Sequence, residues 1–422
     1  MAAMAKGYSV FSILRHAFRP SEPWPEAWPK ASPKANYDAI IIGGGGHGLA
    51  TAYYLAKNHG LTNIAVLEKG YIGSGNVGRN TTIIRSDYML GANTAFFEKS
   101  MQLWEGLSHE LDFNCMVSHR GRVAIAVNPS QMDAFARRGN IMRLNGIDAE
   151  ILERGEMMKE LPYLDYSKHA RFPVYGGIHQ RRAGTVRHDA VAWGYARAAS
   201  QLGVHIIENC EVTGILKSGN KVTGVETTHG RILSDKVGIA VAGHTSQVAK
   251  MAGLRLPVES HVLQAFVTES VKPICHHVLG WGAELFYMSQ SDKGGMVFGG
   301  HLDGFNTFTQ RGQFFKMKEV MECAVALAPF ISRLRVLRHW GGVNDMTPDG
   351  SPFICVTPID GFYLNGGWCY QGFKATPASG LTFAHTMANN APHELSADFA
   401  LDRLMKGKEL DEHGIGNWTY KQ

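Results

Sequence analysis

The stretch Tyr37–Gly70, YDAIIIGGGGHGLATAYYLAKNHGLTNIAVLEKG, decides the fold. Tyr37 to Ile42 is an isoleucine-rich apolar run, too short for a helix and suited to a buried strand. It runs into Gly43, Gly45 and Gly48 at G-x-G-x-x-G spacing, with Gly46 and His47 between them. Leu49 to Asn58 then places apolar residues at helical intervals, and Ile64 to Leu67 is a second buried strand. That strand ends on Glu68, twenty residues past Gly48. The glycines let the chain turn tightly and bring backbone N–H groups up to a pyrophosphate at a helix N-terminus, while Glu68 can accept from ribose hydroxyls. A bare G-x-G-x-x-G says little. Between strand and helix, with an acid at this distance, it predicts a dinucleotide site.

Working outward, 422 residues are enough for two or three domains and a large core. The net charge of +5 comes with no basic block, so nucleic-acid binding is poorly supported and an anionic cofactor or substrate accounts for the excess. Six scattered cysteines (115, 210, 275, 323, 355 and 369) without a C-x-x-C pair, and no secretory signal, point to reduced thiols in a cytoplasmic protein. Cys275-His276-His277 invites a metal reading, but adjacent residues seldom converge on one ion, so no metal is expected. No run approaches the ~20 apolar residues of a membrane helix. The apolar patch Tyr8–Leu14 is too short for a signal peptide, and Ser21–Pro33 (SEPWPEAWPKASP) reads as an extended arm.

Further along, Thr94–Leu111 is an amphipathic helix carrying Phe96, Phe97, Met101 and Trp104. Gly121–Val127 reads as a strand, and Ser130–Leu144 and Glu153–Leu161 as helices. Gln180–Gly184 is a turn, and His188–Leu202 is again helical. Strands and turns then alternate from Val204 to Gly243. From Leu254 to Ile331 glycine-broken strands dominate, with one helix at Gln313–Ala328, as in a second, sheet-based domain. Leu337–Gly342, Pro352–Pro358 and Gly361–Gly366 are strands, and Gly372–Asn389 is a helix entered through a glycine turn.

Two-strand dinucleotide signatures suit NAD and FAD enzymes alike. The C-terminal Tyr363–Leu381 pattern, strand–GGW–turn–GFK–helix, favours FAD because a second glycine turn returns a helix N-terminus to the cofactor. With Gly73–Tyr88 it resembles the D-amino-acid oxidase and glycine oxidase class of flavoproteins. From Tyr37 onward the chain is more closely similar to the beta subunits of heterotetrameric sarcosine oxidases, through GRNTTIIRS, QRRAGTVRHDAVAWGYAR, CEVTGI and GGW…GFKATPASG. The resemblance implies an α/β protein. A Rossmann-like FAD-binding domain of discontinuous segments (37–120, 170–253 and 335–400) would sit beside a smaller β-sheet-based substrate domain (121–169 and 254–334). An N-terminal extension (1–36) and a C-terminal tail (401–422) would flank them. It further implies two flavins, FAD held non-covalently and FMN bonded to a histidine facing an alpha subunit, in an assembly with alpha, gamma and delta subunits. The implied reaction is oxidative demethylation of sarcosine by O2, with electrons passing from FAD to FMN. Its products are glycine, hydrogen peroxide and formaldehyde or 5,10-methylenetetrahydrofolate. The alternatives are the matching subunit of an N-methylglutamate dehydrogenase-type complex, or a flavin-binding relay subunit without catalysis.

By motif the flavin-linked histidine is His188. On the residues alone, an ordinary partly buried histidine at a helix start is the commoner case. The positive helix end and Arg187 would nonetheless keep the imidazole neutral, as a nucleophile toward the flavin must be. For FAD, the resemblance assigns Gly43, Gly45, Gly46, His47 and Gly48 to the pyrophosphate and Glu68 to the ribose. It assigns Asn76, Thr81 and Ile83 to the loop crossing the ring, Val212 to the adenine, and Gly372 and Lys374 to the closing turn. Arg85, otherwise readable as a surface ion pair, and Lys374 match the pair that holds the substrate carboxylate. His301, otherwise a loop histidine, lies near the relatives' active-site histidine. Two departures stand out. Trp340–Thr347 (WGGVNDMT) lacks the cysteine through which single-flavin relatives attach FAD. Counting back from His301, Val297 fills the place of their oxygen-activating lysine.

Overall fold

Ile40, Ile41 and Ile42 are buried, and their alternate sides feed two different cores. A strand apolar on both faces belongs inside a parallel sheet covered by other layers, and that is its setting in the computed structural model. The structure describes residues 9–19, 26–282 and 286–412, so parts of the expected N-terminal extension and C-terminal tail lie outside the described residues. The strand, β1 (Ala39–Ile42), pairs in parallel with β2 (Ile64–Leu67) on one side and β12 (Val237–Ile239) on the other. β8 (His205–Ile207) extends the sheet beyond β2, and β19 (Phe362–Gly366) extends it beyond β12. Antiparallel β18 (Phe353–Val356) forms the far edge, giving the order β18-β19-β12-β1-β2-β8.

One face of this sheet carries α2 (Gly46–His59), α3 (Gly91–Glu110), α6 (His188–Gln201) and α9 (Gly372–Asn389). α2 and α9 approach closely because Gly380 has no side chain: a Cβ there would stand 2.4 Å from that of Ala50. The other face is covered by α7 (Thr245–Met251) and a three-stranded sheet of β9 (Val212–Ser218), β10 (Lys221–Thr227) and β11 (Gly230–Leu233).

The second layer is an eight-stranded sheet. Its order is β17 (Val336–Met346), β13 (Glu259–Ser270), β16 (Gly295–Leu302), β15 (Phe286–Gln290), β14 (Val278–Trp281), β4 (Arg122–Ala126), β6 (Gly176–Gln180) and β5 (Glu150–Glu153). α5 (Arg154–Glu160) and α8 (Phe314–Leu327) bury one side of it over Val123, Phe266 and Phe298, and α4 (Pro129–Leu144) packs near Ala124 and Ile178. Two strands expected with the nucleotide-binding segments belong here instead. β6 is captured by antiparallel pairing with β4, and β17 by a ladder along β13 running from Glu259 opposite Met346 to Thr268 opposite Val336. The chain returns to the parallel sheet only at Phe353.

A short ribbon, β3 (Ile83–Ile84) with β7 (Gly184–Thr185), lies apart from both large sheets. α1 (Val10–Phe18) was not foreseen as a helix, and Val10, Phe11, Ile13, Leu14 and Phe18 on it are exposed.

Candidate active site

A cavity of about 740 Å³ opens where the carboxyl ends of the parallel strands meet the eight-stranded sheet, the usual place for a ligand in an open α/β sheet. Of the residues singled out in the sequence, it is lined by Gly43, Gly45, Gly46, His47, Glu68, Asn76, Thr81, Ile83, Arg85, Val212, Gly372 and Lys374. Gly48, His188 and His301 are not among the lining residues.

At the parallel-sheet end the glycines have separate reasons. Gly43 holds φ at +109°, and a Cβ on it would stand 2.3 Å from the Ala240 carbonyl oxygen. A Cβ on Gly48 would stand 1.9 Å from the Gly43 carbonyl oxygen, so this glycine lets helix and strand touch. A Cβ on Gly45 would meet nothing within 4 Å: the space in front of it belongs to the cavity. The N-termini of α2 and α9 both border the cavity, and neither carries a side-chain cap. Two uncapped helix starts and a bare glycine backbone fit the pyrophosphate of FAD. Glu68 accepts from the Gly44 and Gly70 N–H groups at 2.9 Å each, which fixes the carboxylate at the strand end. The His47 ring stacks on Trp368, with centroids 4.6 Å apart, and its Nδ1 is 2.7 Å from the Ser379 hydroxyl. Burial pushes its pKa down to about 3 against an opposing backbone hydrogen bond with Gly372, so it meets a ligand as a neutral imidazole.

The loop over the cavity is tied to β17. Asn76 accepts from Val343 N at 3.0 Å and donates to Val343 O at 2.5 Å, while Trp340 Nε1 donates to Arg79 O at 2.7 Å. The Asn76 side chain therefore anchors the loop, while its residue still borders the cavity. Past the loop, Thr82 sits at φ +69°, and its carbonyl accepts from Val186 N at 2.9 Å. This joins the cavity wall to the ribbon leading into His188.

At the far end, Arg85 is buried and salt-bridged to Asp87, which also accepts from Arg122 Nη1 at 2.7 Å. Arg138 stands 3.9 Å from the same carboxylate. Burial alone would raise the Asp87 pKa, but the three guanidinium groups outweigh it and hold the carboxyl well below the usual range. Lys374 Nζ donates to Tyr370 O at 2.8 Å, also on the cavity wall. Arg122, Tyr287 and Asp345 were missed in the sequence, although all three line the cavity. Asp345 lies in the WGGVNDMT run read only for its lack of cysteine. Its side chain is buried, accepts from Gly367 N at 2.5 Å, and burial pushes its pKa up to about 6.

His301 is turned elsewhere. Leu263 pairs with Leu302 and Gln264 with Gly300, leaving His301 as the unpaired residue of a bulge at φ +52°. Its ring points to α8, with Nδ1 3.3 Å from Glu319 and Nε2 3.7 Å from the Cys323 sulfur. Val297, placed by counting back from it, does not line the cavity either. His188 opens α6 with Nδ1 buried and without a hydrogen-bond partner among the described residues. Burial lowers its pKa, Asp189 opposes this and Arg187 adds to it. In the Cys275-His276-His277 run, the Cys275 sulfur is 3.1 Å from the Tyr163 hydroxyl, whereas His277 faces Glu160 at 3.4 Å. Among the described residues no cluster is placed to hold a metal, and no helix is long and apolar enough to cross a membrane.

A parallel sheet ending on glycines, two helix starts aimed into one cavity and a cationic far wall define a dinucleotide-dependent oxidoreductase. The chain belongs to the FAD dependent oxidoreductase family, DAO, which matches residues 38–386. It is 59% identical to sarcosine oxidase subunit beta of Rhizobium meliloti (strain 1021), over 97% of this chain and 98% of that one. It is 48% identical to sarcosine oxidase subunit beta of Arthrobacter sp, over 90% and 94%. Among solved structures, L-proline dehydrogenase from P. horikoshii matches 90% of this chain and 100% of its own, with a TM-score of 0.83 and 25% identity. Glycine oxidase from Geobacillus kaustophilus shares the fold, with a TM-score of 0.79, 22% identity and coverage of 88% and 99%.

Proposed function

We propose that this chain is the catalytic beta subunit of a sarcosine oxidase, working with alpha, gamma and delta subunits. It would convert sarcosine and O2 to glycine and hydrogen peroxide, with formaldehyde formed when water is the co-reactant or 5,10-methylenetetrahydrofolate when tetrahydrofolate is. One observation carries the reading: a single cavity has a glycine-and-helix end fitted to FAD and an arginine–lysine end fitted to a small carboxylate. The 59% identity to a sarcosine oxidase beta subunit supports the choice of substrate.

Gly43, Gly45, Gly46, His47 and Glu68 would hold the FAD pyrophosphate and ribose, Val212 would border the adenine, and Asn76, Thr81, Ile83 and Gly372 would border the ring. When bound, FAD supplies a two-electron acceptor for a hydride from the N-methyl carbon. The protein's own contribution is mainly positioning. Arg85 and Lys374 orient the substrate carboxylate in a water-poor pocket. The same cations disfavour a nearby ammonium, so the amine binds neutral, as loss of a hydride requires. Trp340–Thr347 offers no cysteine, so FAD stays non-covalent.

His188 would carry FMN. Its ring fits that role through a buried Nδ1 with no partner among the described residues, a pKa lowered by burial, and a ribbon that joins its helix directly to the cavity loop. His301 is left out of the catalytic set because α8 engages its ring.

The test is to copurify the complex, denature it in acid and weigh this subunit. The expected result is an added FMN mass on the peptide containing His188, with FAD released free. An unmodified His188 peptide, or turnover with N-methylglutamate but not sarcosine, overturns the assignment.

A further inference from the structure

Resting on the reading of the cavity as an amino-acid site, we propose that Arg122 is a second carboxylate-binding arginine, set beside Arg85 to determine substrate choice. The two guanidinium groups flank one carboxylate, that of Asp87, which does not itself line the cavity. Asp87 therefore stands behind and the two arginines in front, both on the cavity wall. With Arg138 also 3.9 Å from Asp87, three guanidinium groups face this buried carboxylate, and the Glu412 carboxylate offsets part of the charge on Arg138. Such a cluster favours an anion from the cavity side.

The floor beneath Arg122 is shaped for it. Cross-strand partners Ala124, Gly280, Tyr287, Gly299 and Ala265 form one row across five strands. Two of them are glycines over which a long side chain lies. A Cβ on Gly280 would stand 2.5 Å from Arg122 Nη2, and one on Gly299 would stand 2.4 Å from the Tyr287 hydroxyl. The missing side chains let Arg122 and Tyr287 lie flat along the sheet, and both border the cavity with Leu263 and Ala265. A guanidinium held from behind by a carboxylate and lying over a glycine is fixed in one orientation on the cavity wall. Asp87 and Gly280 are positioning residues for it.

The test uses the FAD-loaded complex, with acetate as probe, followed through the flavin absorbance change, and sarcosine steady-state kinetics alongside. Loss of one charge-assisted contact should raise the acetate Kd of Arg122→Gln about 10- to 100-fold. The sarcosine KM should rise more than kcat falls. Arg122→Lys should fall between the variant and the parent, since it keeps the charge and loses the fork. A purely structural arginine would leave acetate affinity within twofold of the parent, and that result overturns the proposal. If Arg122→Gln does not retain FAD, Arg122→Lys decides on the same criterion. A parent complex that binds acetate through Arg122 yet fails to turn over sarcosine would refute the substrate assignment and leave the arginine site standing.

Discussion

Replacing Asp345 with asparagine should make the flavin-depleted chain more stable at pH 8 and change it little near pH 4. Asp345 is 2% exposed, and burial raises its carboxyl from the ordinary 3.8 to about 6, against opposing hydrogen bonds from Gly367, its own backbone, Trp368 and Thr245. A folded-state pKa above the unfolded one means the folded chain binds the extra proton between those values. Stability is then fully present below pH 3.8 and falls as pH rises through 6. About two pH units at about 1.4 kcal/mol each give a loss of about 3 kcal/mol by pH 8. Asparagine keeps an oxygen to accept from Gly367 N, and its amide can donate to the Thr245 hydroxyl nearby. It removes the charge and with it the pH-dependent loss. Denaturant unfolding of both proteins at pH 4.5, 6 and 8 checks this. A parent–variant difference that stays constant across the three pH values would refute the account.

Three further outcomes follow from the geometry. Gly45→Ala should keep the fold but weaken FAD binding tenfold or more in a flavin titration, because its Cβ enters the ligand space. Gly48→Ala forces a 1.9 Å contact with the Gly43 carbonyl and should lower the unfolding midpoint itself. Arg403→Ala leaves Asp349, now gripped at 2.8 Å by both Nε and Nη2, as a lone buried charge. It should cost about 3–5 kcal/mol in denaturant unfolding.

The nucleotide-binding half was legible because its signal is local: strand, glycines, helix and acid fall within Tyr37–Gly70, and the two strands and the helix form where that pattern puts them. The sheet assignments of 176–180 and 336–346 were not. A strand looks the same whichever sheet takes it, and their partners at Arg122–Ala126 and Glu259–Ser270 lie far off in the chain. His301 misled for a sharper reason. Alternation from Gly299, whose cross-strand partners face the cavity, would put His301 on that face too. One extra residue in the ladder turned it onto α8 instead. Arg122 was invisible because its aim depends on Gly280, over 150 positions later, and on the carboxylate of Asp87. Asp345 is an unremarkable acid in the sequence until burial shifts its proton affinity.

The order β18-β19-β12-β1-β2-β8 also constrains how the chain is made. β1 ends at Ile42 and its partner β12 begins at Val237, 195 residues later. At ordinary synthesis rates that is about 10–40 s during which an isoleucine strand leaves the ribosome with one edge bare. β19 and α9, which complete the cofactor wall, emerge last of all. FAD therefore cannot stabilise the nascent chain early, and chaperone occupancy of Tyr37–Leu67 during translation is the natural expectation of this topology.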